Sequence, residues 1–426
     1  MTVVQETHIQ APLGKLKAPM PDDRPWQVLG SLLPFNSPDH KLWWEKFGSI
    51  TQDHLEGTNY SVGAQYRYLL MLHSMILPVL GPLPNKARTN LKWPFFLNNN
   101  DPCEISVNYQ GNSEPCVRLA IDPSGPMAGT KQDPMNDHVP RRLLENLTSM
   151  QSDIDFQLFD HFNDNMVLSN KMARNHWESV KEHEIKSQRI LAFDLQDDSF
   201  TVKTYCVPLI RSLTTGVDPL SLTFDSIKAI CSDSTVLSAL SMVDNYLAGP
   251  ESLALDFNTY MSFDLKELVD SRFKIYVAAK VKSSEEAYDF WTLGGRLKGE
   301  EIERGFELVQ RIWDIVWESP LPSGKPREYI PIHWNWEFSP KSPYPVPKAY
   351  FQLWDEYDGV VPEAVTSLFE HLGWTEYLAT HRKIENASYS AFDLNKTVEV
   401  YTWVSIAFSN KKGPYVTVYS NPAACL

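Results

Sequence analysis

Hydrophobic and polar positions in this chain follow two alternating regimes. Short β-rich runs come in pairs, each pair joined by a turn or short loop. The first pair is Cys103–Tyr109 with Cys116–Asp122, joined by QGNSEP, and the second is Ile190–Leu195 with Phe200–Val207, joined around QDDS. The third is Asn258–Leu265 with Arg272–Ala279. The fourth is Ile332–Phe338 with Lys348–Trp354 across a Ser/Pro-rich loop, and the fifth is Val400–Phe408 with Tyr415–Ser420 across NKKGP. Between the pairs lie longer stretches with helical periodicity: Val62–Leu80, Arg141–Lys181, Leu220–Leu247, Ser284–Glu318 and Pro362–Arg382. In FELVQRIWDIVW, Val309, Ile312, Trp313 and Val316 fill the i, i+3, i+4, i+7 positions of one helix face.

The second strand of each pair begins near residues 116, 200, 272, 348 and 415, so the unit recurs at steps of roughly 84, 72, 76 and 67 residues. Hairpin pairs imply antiparallel neighbours, whereas single strands alternating with helices would imply a parallel sheet. Five such units predict an α+β fold: a ten-stranded antiparallel β-barrel surrounded by α-helices, closed so that no strand edge is left unpaired. Separate α+β domains are the competing arrangement, but no Gly/Ser-rich linker divides the units. Residues 1–25, polar and Pro-containing, read as a flexible N-terminal arm, and 26–426 as a single barrel domain.

Composition adds two constraints. No run approaches the ~20 apolar residues a membrane span requires, and the N-terminus lacks a secretion-signal pattern. Five cysteines, none in CxxC spacing, read as reduced thiols of a cytoplasmic protein rather than a disulfide framework or zinc site. Cys425 is next to last and therefore makes no C-terminal prenylation box. The formal charge of −14 argues against nucleic acid as a partner, which makes the placement of the basic residues informative.

Strand side chains alternate between faces. Lys203 and Tyr205 share a face, as do Arg272, Lys274 and Tyr276, and Lys348 and Tyr350. Tyr415, Thr417 and Tyr419 oppose Val416 and Val418, and Arg118 and Ala120 oppose Val117, Leu119 and Ile121. With helices outside, the apolar faces belong against them and the Arg, Lys and Tyr face points into the lumen. Buried cations are costly without counter-charge, so this lumen calls for water and a polyanion, such as a diphosphate. Tyrosine faces beside that site can stabilise a carbocation by roughly 0.5–2 kcal/mol per ring. A solvated strand face is the bland alternative for any one strand; the repetition across strands argues against it.

These strands resemble the fungal indole prenyltransferases of the dimethylallyl tryptophan synthase type. The resemblance runs through LWW, QYRYLLMLHSMILPVLGPLP, CEISVNY, VRLAIDP, GTKQDPMN, LAFDL…VKTYCVP, SRFKIYV, FWTLGGR, PVPKAYF and WVSIAF…PYVTVY, covering roughly residues 25 to 420. It implies the same ten-stranded barrel, dimethylallyl diphosphate as co-substrate, and a Friedel–Crafts alkylation of an aromatic ring with no cofactor or metal required. By position, it implies that Arg118, Lys203, Arg272 and Lys274 bind the diphosphate, joined here by Lys348 where some members have Gln. Tyr205, Tyr276, Tyr350, Tyr415 and Tyr419 would shield the allyl cation. Glu104 falls where the family places the carboxylate that accepts the indole N–H, and Lys203 where a rearomatising base has been proposed. Before Tyr415 some members place Arg; this chain reads NKKG, so either Lys411 or Lys412 would substitute. PWQVLG and the NYQ after the Glu104 strand are most similar to the branch acting on tryptophan-containing cyclic dipeptides.

Other motifs carry less. The acidic DDxxD signature of metal-dependent prenyl transfer is absent; Asp197–Asp198 and Asp133 read as turn residues. Gly294–Gly295 reads as a helix stop rather than a phosphate loop. His333 reads as structural. Phe96, Trp334 and Trp403 are candidate walls of an acceptor pocket. The expected function is transfer of a dimethylallyl group to the indole of tryptophan or a tryptophan-containing cyclic dipeptide, in fungal indole alkaloid biosynthesis. A phenolic acceptor on the same fold is the alternative, and a non-catalytic barrel for an anionic amphipathic ligand is the least favoured. Small molecules are the only partners expected; monomer and homodimer both remain open.

Overall fold

The computed structural model describes residues 24–424 except 99, 112, 182, 184 and 250–254. The proposed arm therefore lies almost wholly outside the described residues, as does Cys425. Its last two residues belong to the fold: Arg24 pairs with Asp53 at 2.6 Å, and Pro25 opens a helix, Pro25–Leu32.

Ten strands close into one antiparallel barrel. They are β1 (Cys103–Gln110), β2 (Cys116–Ile121), β3 (Arg189–Leu195), β4 (Phe200–Cys206), β5 (Leu255–Asp264), β6 (Phe273–Val281), β7 (Ile330–Ser339), β8 (Ser342–Gln352), β9 (Tyr401–Ser409) and β10 (Gly413–Ser420). Each pairs with its sequence neighbours, and β1 closes on β10 from Ile105↔Ser420 to Gln110↔Tyr415. The predicted hairpins are thus the observed ones. The fourth differs in its loop: β8 starts at Ser342, leaving a two-residue turn where a long Ser/Pro-rich connection was expected. Pro343, Pro345 and Pro347 are tolerated there because β9 pairs with β8 only over Lys348–Gln352.

Every predicted helical stretch contains helix, but each is broken. Leu220–Leu247 is two helices, Pro219–Ile230 and Ser234–Leu247, restarted by Asp233, whose carboxylate accepts from Thr235 N and Val236 N. Ser284–Glu318 breaks between Thr292 and Glu300, where Leu293, Gly294 and Gly295 all have positive φ, so the GG pair is the helix stop expected of it. Arg141–Lys181 holds four short helices, and the Val62–Leu80 stretch passes through π and 3-10 turns towards Pro78. Helices Pro38–Trp43 and Ser49–Gly57 were not anticipated. No described helix is long and apolar enough to cross a membrane.

The core is the shell between helices and barrel. Outward strand residues such as Ile105, Leu119, Phe193, Ile275 and Val404 are buried against the helical layer. One contact is especially tight. Gly305, inside helix Glu300–Glu318, faces Trp291 and Phe408, and a Cβ there would lie 2.5 Å from Trp291 Cζ2 and 3.1 Å from Phe408 Cβ. Gly→Ala inside a helix ordinarily gains up to about 1 kcal/mol. Here overpacking reverses the sign: Gly305→Ala should lower stability by about 1–3 kcal/mol, read as a lower denaturation midpoint.

Candidate active site

The hairpin topology gives the lumen a direction. All five hairpin turns lie at one end of the barrel, and the connections between hairpins at the other. Even-numbered strands run from the turn end, so a basic residue followed two positions later by Tyr sets the base near the turns and the ring deeper in the lumen.

At the turn end the five predicted cations converge, but not alone. Asp194 pairs with Lys203 and, at 3.1 Å, with Arg118. Asp264 pairs with Arg272 at 2.8 Å, and Glu337 lies 3.6 Å from Arg272 and 3.5 Å from Lys274. Lys348 forms no ion pair among the described residues; its Nζ stands 4.2 Å over the Tyr415 ring and 4.8 Å over Tyr350. Five cations thus face three carboxylates. Burial alone would raise the Asp194 carboxyl, but Arg118 and Lys203 hold it far below the usual carboxylate range. Burial pushes Lys203 down to about 8 despite Asp194. Burial, with Arg118 and Lys274 nearby, pushes Lys348 well below an ordinary lysine. The excess of positive charge is what a bound polyanion would neutralise.

Above the clamp runs a belt of aromatic rings. Tyr260 and Tyr276 stack at 4.5 Å and 10°. Tyr205 lies 5.8 Å from Tyr276, Tyr276 lies 5.7 Å from Tyr350, and Tyr350 lies 6.0 Å from Tyr419. Burial raises the hydroxyl pKa of Tyr205, Tyr260, Tyr350 and Tyr419, so these rings stay neutral. Tyr415 sits lower, under Lys348 and 5.3 Å from Arg118, and belongs to the clamp more than to the belt.

Beyond the belt opens a cavity of about 370 Å³ lined by Phe96, Glu104, His333, Trp354 and Trp403 together with belt tyrosines. Phe96 meets Tyr260 edge-on at 5.2 Å, and Trp403 meets His333 at 4.7 Å and Trp354 at 4.7 Å. Glu104 is the one carboxylate among the described residues lining this cavity. Burial raises it to about 8, partly offset by Thr402, whose Oγ1 donates a hydrogen bond at 3.1 Å, and by the nearby Asn98 amide. His333 is neutral, pushed by burial to about 3, and its Nδ1 lies 3.0 Å from Tyr260 Oη.

Two expectations change. Trp334 does not wall the pocket: it shares the outward face of β7 with Trp336 and stacks on Phe290 of the helical layer at 5.5 Å and 7°. Alternation puts His333, Asn335 and Glu337 inside instead. Lys411 and Lys412 are exposed on the β9–β10 turn, and neither takes part in the clamp's ion pairs. Sequence reasoning also missed Tyr260, Asp194, Asp264 and Glu337. Their signal was present: Tyr260, Ser262 and Asp264 alternate on β5 as the basic and Tyr residues do on β6.

A cationic clamp, an aromatic belt and a pocket holding one carboxylate can ionise an allylic diphosphate and present its cation to an aromatic ring. The family profile for tryptophan dimethylallyltransferase matches residues 39–383. The chain belongs to the tryptophan dimethylallyltransferase family. Its members with similar sequences include echinulin prenyltransferase 1 of Aspergillus ruber, 29% identical over 412 residues covering 93% of this chain and 96% of that one. Deoxybrevianamide E synthase of Aspergillus versicolor is 29% identical, covering 96% of both chains. Among solved structures, AnaPT from Neosartorya fischeri superposes with a TM-score of 0.82 at 30% identity, over 94% of this chain and 98% of that one. NotF in complex with brevianamide F and DMSPP gives 0.83 at 28%, over 95% and 100%. As a tryptophan dimethylallyltransferase family member, the protein is a prenyltransferase acting on an indole.

The buried carboxyl of this family member makes a stability prediction independent of catalysis. An unfolded Glu titrates near about 4.3, so between that pH and about 8 the folded state binds the extra proton and stability falls as pH rises. Glu104→Gln removes this loss. Its melting temperature should rise relative to the parent from pH 4.5 to 8 and hold a constant gap above.

Proposed function

We propose that the protein transfers a dimethylallyl group from dimethylallyl diphosphate to the indole of a tryptophan-containing cyclic dipeptide, without a metal. The observation that carries the reading is the order along one axis: cationic clamp, tyrosine belt, then the Glu104 pocket. In this reading Arg118, Lys203, Arg272, Lys274 and Lys348 hold the diphosphate, neutralising it as the C1–O bond breaks and the electron pair leaves with the oxygen. Tyr205, Tyr260, Tyr276, Tyr350 and Tyr419 face the allyl cation and exclude water. Glu104 accepts the indole N–H, which enriches and orients the ring. A ring carbon then attacks the cation, and Lys203, once it has passed its own proton to the leaving diphosphate, is the candidate to take the proton lost as aromaticity returns.

Two findings favour a cyclic dipeptide over free tryptophan. A second cleft of about 720 Å³ shares His333, Gln352 and Trp354 with the acceptor cavity, giving room for an acceptor that extends beyond the indole. NotF, similar along nearly its whole length, was solved with brevianamide F. Among the described residues no cluster of His, Cys, Asp and Glu has the makings of a metal site, and the clamp supplies positive charge itself.

The test is turnover with dimethylallyl diphosphate and a panel of cyclic dipeptides, tryptophan and tyrosine, followed by mass spectrometry with and without EDTA. A tryptophan-containing cyclic dipeptide should be the best acceptor and EDTA should have no effect. Preference for tyrosine, or loss of turnover in EDTA, would overturn the respective part. Arg272→Ala and Lys203→Ala should each lower kcat/KM by about 10²-fold or more with the fold intact. With the donor varied, kcat/KM should fall as pH rises through about 8, where Lys203 loses its charge. Glu104→Gln should cost about 10²-fold with an indole but little with its N-methyl analogue, which has no N–H to donate.

A further inference from the structure

The segment before β1 that roofs the acceptor cavity is built around asparagines in an uncommon conformation. Asn98 and Asn100 have φ of 45° and 64°, in the left-handed region that Asn tolerates better than most side chains. Asn100 Oδ1 accepts from Phe95 N at 2.6 Å. Asp122, just past β2, accepts from Phe96 N at 2.7 Å and from Ser187 Oγ at 2.6 Å, tying the roof to the segment before β3. The roof is therefore fixed from both sides, and Asn98 projects from it into the pocket wall.

The Asn98 amide touches one functional group and lies beside another. The indole Nε1 of Trp403 donates to Asn98 Oδ1 at 3.1 Å. An indole N–H can only donate, so this contact fixes which end of the amide is oxygen. The amide nitrogen is then turned to the other side, where the Glu104 carboxylate lies. That nitrogen is buried and makes no hydrogen bond among the described residues, so the nearby Glu104 carboxylate is the acceptor open to it. Thr402 holds Glu104 Oε2 from the opposite side. A carboxylate offers about four acceptor positions, so two fixed donors still leave room for a substrate N–H.

We propose that Asn98 is a positioning residue for the acceptor: its amide, locked by Trp403, holds the Glu104 carboxylate in the orientation that receives an indole N–H. The inference rests on the reading of Glu104 given above. No cation competes for this role. The titratable groups facing Glu104 are Tyr260 of β5, Tyr419 of β10 and Cys103 on its own strand, all pushed up by burial and protonated. His333, beside Trp403, is neutral.

The test uses Asn98→Gly and Asn98→Asp, because both residues accept a left-handed backbone and so preserve the roof. Gly removes the donor. Asp keeps an acceptor for Trp403 but sets a second carboxylate against Glu104. Glu104 titration would be followed by NMR of protein carrying carboxyl-labelled Glu, with Glu104→Gln as subtraction reference. In parallel, kcat/KM would be measured against pH with a tryptophan-containing cyclic dipeptide and with its N-methylindole analogue.

The Glu104 midpoint should rise by about one pH unit in the Gly variant and further in the Asp variant. At pH 7 the indole substrate should lose about tenfold in kcat/KM in the Gly variant, regained as pH rises, because one unit removes nine-tenths of the carboxylate. The N-methyl analogue and the donor KM should be unchanged. A midpoint that stays put in both variants, or a loss equal at every pH and for both acceptors, overturns the inference. A midpoint that moves while indole turnover does not follow upholds the Asn98–Glu104 contact and overturns instead the reading of Glu104 as the indole's partner.

Discussion

The structure is organised around positive charge buried in excess at one end of a closed barrel. Arg118, Lys203, Arg272, Lys274 and Lys348 share that space with only Asp194, Asp264 and Glu337. Burying unpaired cations costs several kcal/mol each, so these charges call for an anion to offset them. Lys348 is the least compensated: it has tyrosine faces beside it but no ion-pair partner among the described residues, and burial depresses its pKa strongly. The carboxylates make the cluster tolerable without cancelling it. Removing them in thought leaves a barrel that could hardly close; adding two more would leave nothing to attract an anion.

The rest of the lumen follows from that placement. On the proposed reading, a cation generated at the clamp would travel towards the acceptor without meeting water or a nucleophile. The rings between the two ends offer π-faces, and burial keeps the hydroxyls of Tyr205, Tyr260, Tyr350 and Tyr419 protonated, so none presents a nucleophilic phenolate to the cation. At the far end the chemistry inverts: one carboxylate, Glu104, in an apolar pocket, with its pKa raised to about 8 and restrained by Thr402 and Asn98. Positive charge at one end and a carboxyl that titrates at about 8 at the other fit a donor that leaves as an anion and an acceptor that turns positive on attack. The helical layer plays no part in this chemistry, yet its apolar contacts force the polar strand faces inward.

Much of this was legible in the chain because strand alternation is a local rule. Lys203 with Tyr205, Lys274 with Tyr276 and Lys348 with Tyr350 declare a shared face two residues at a time, and the hairpin repeat declares the barrel. What failed were inferences in which alternation was not applied, or in which the partner is remote. Trp334 was judged by its type rather than its face, and it packs on Phe290 outside. Lys411 and Lys412 were judged by nearness to Tyr415, but they sit on the turn, beyond the lumen.

The sequence by itself determined the hairpins and which side of five strands carries Arg, Lys and Tyr, because each depends on neighbours a few residues apart, and the recurrence of the hairpins implied the closed barrel. Only the tertiary structure decided what those faces meet. The pairing of Arg118 with Asp194, of Arg272 and Lys274 with Glu337, and of Asn98 with Trp403 joins residues up to 305 positions apart. The shear of the barrel and the path of the roof over its end set those contacts. No local pattern encodes them, since the same alternation would be satisfied by any register that kept the apolar residues outside.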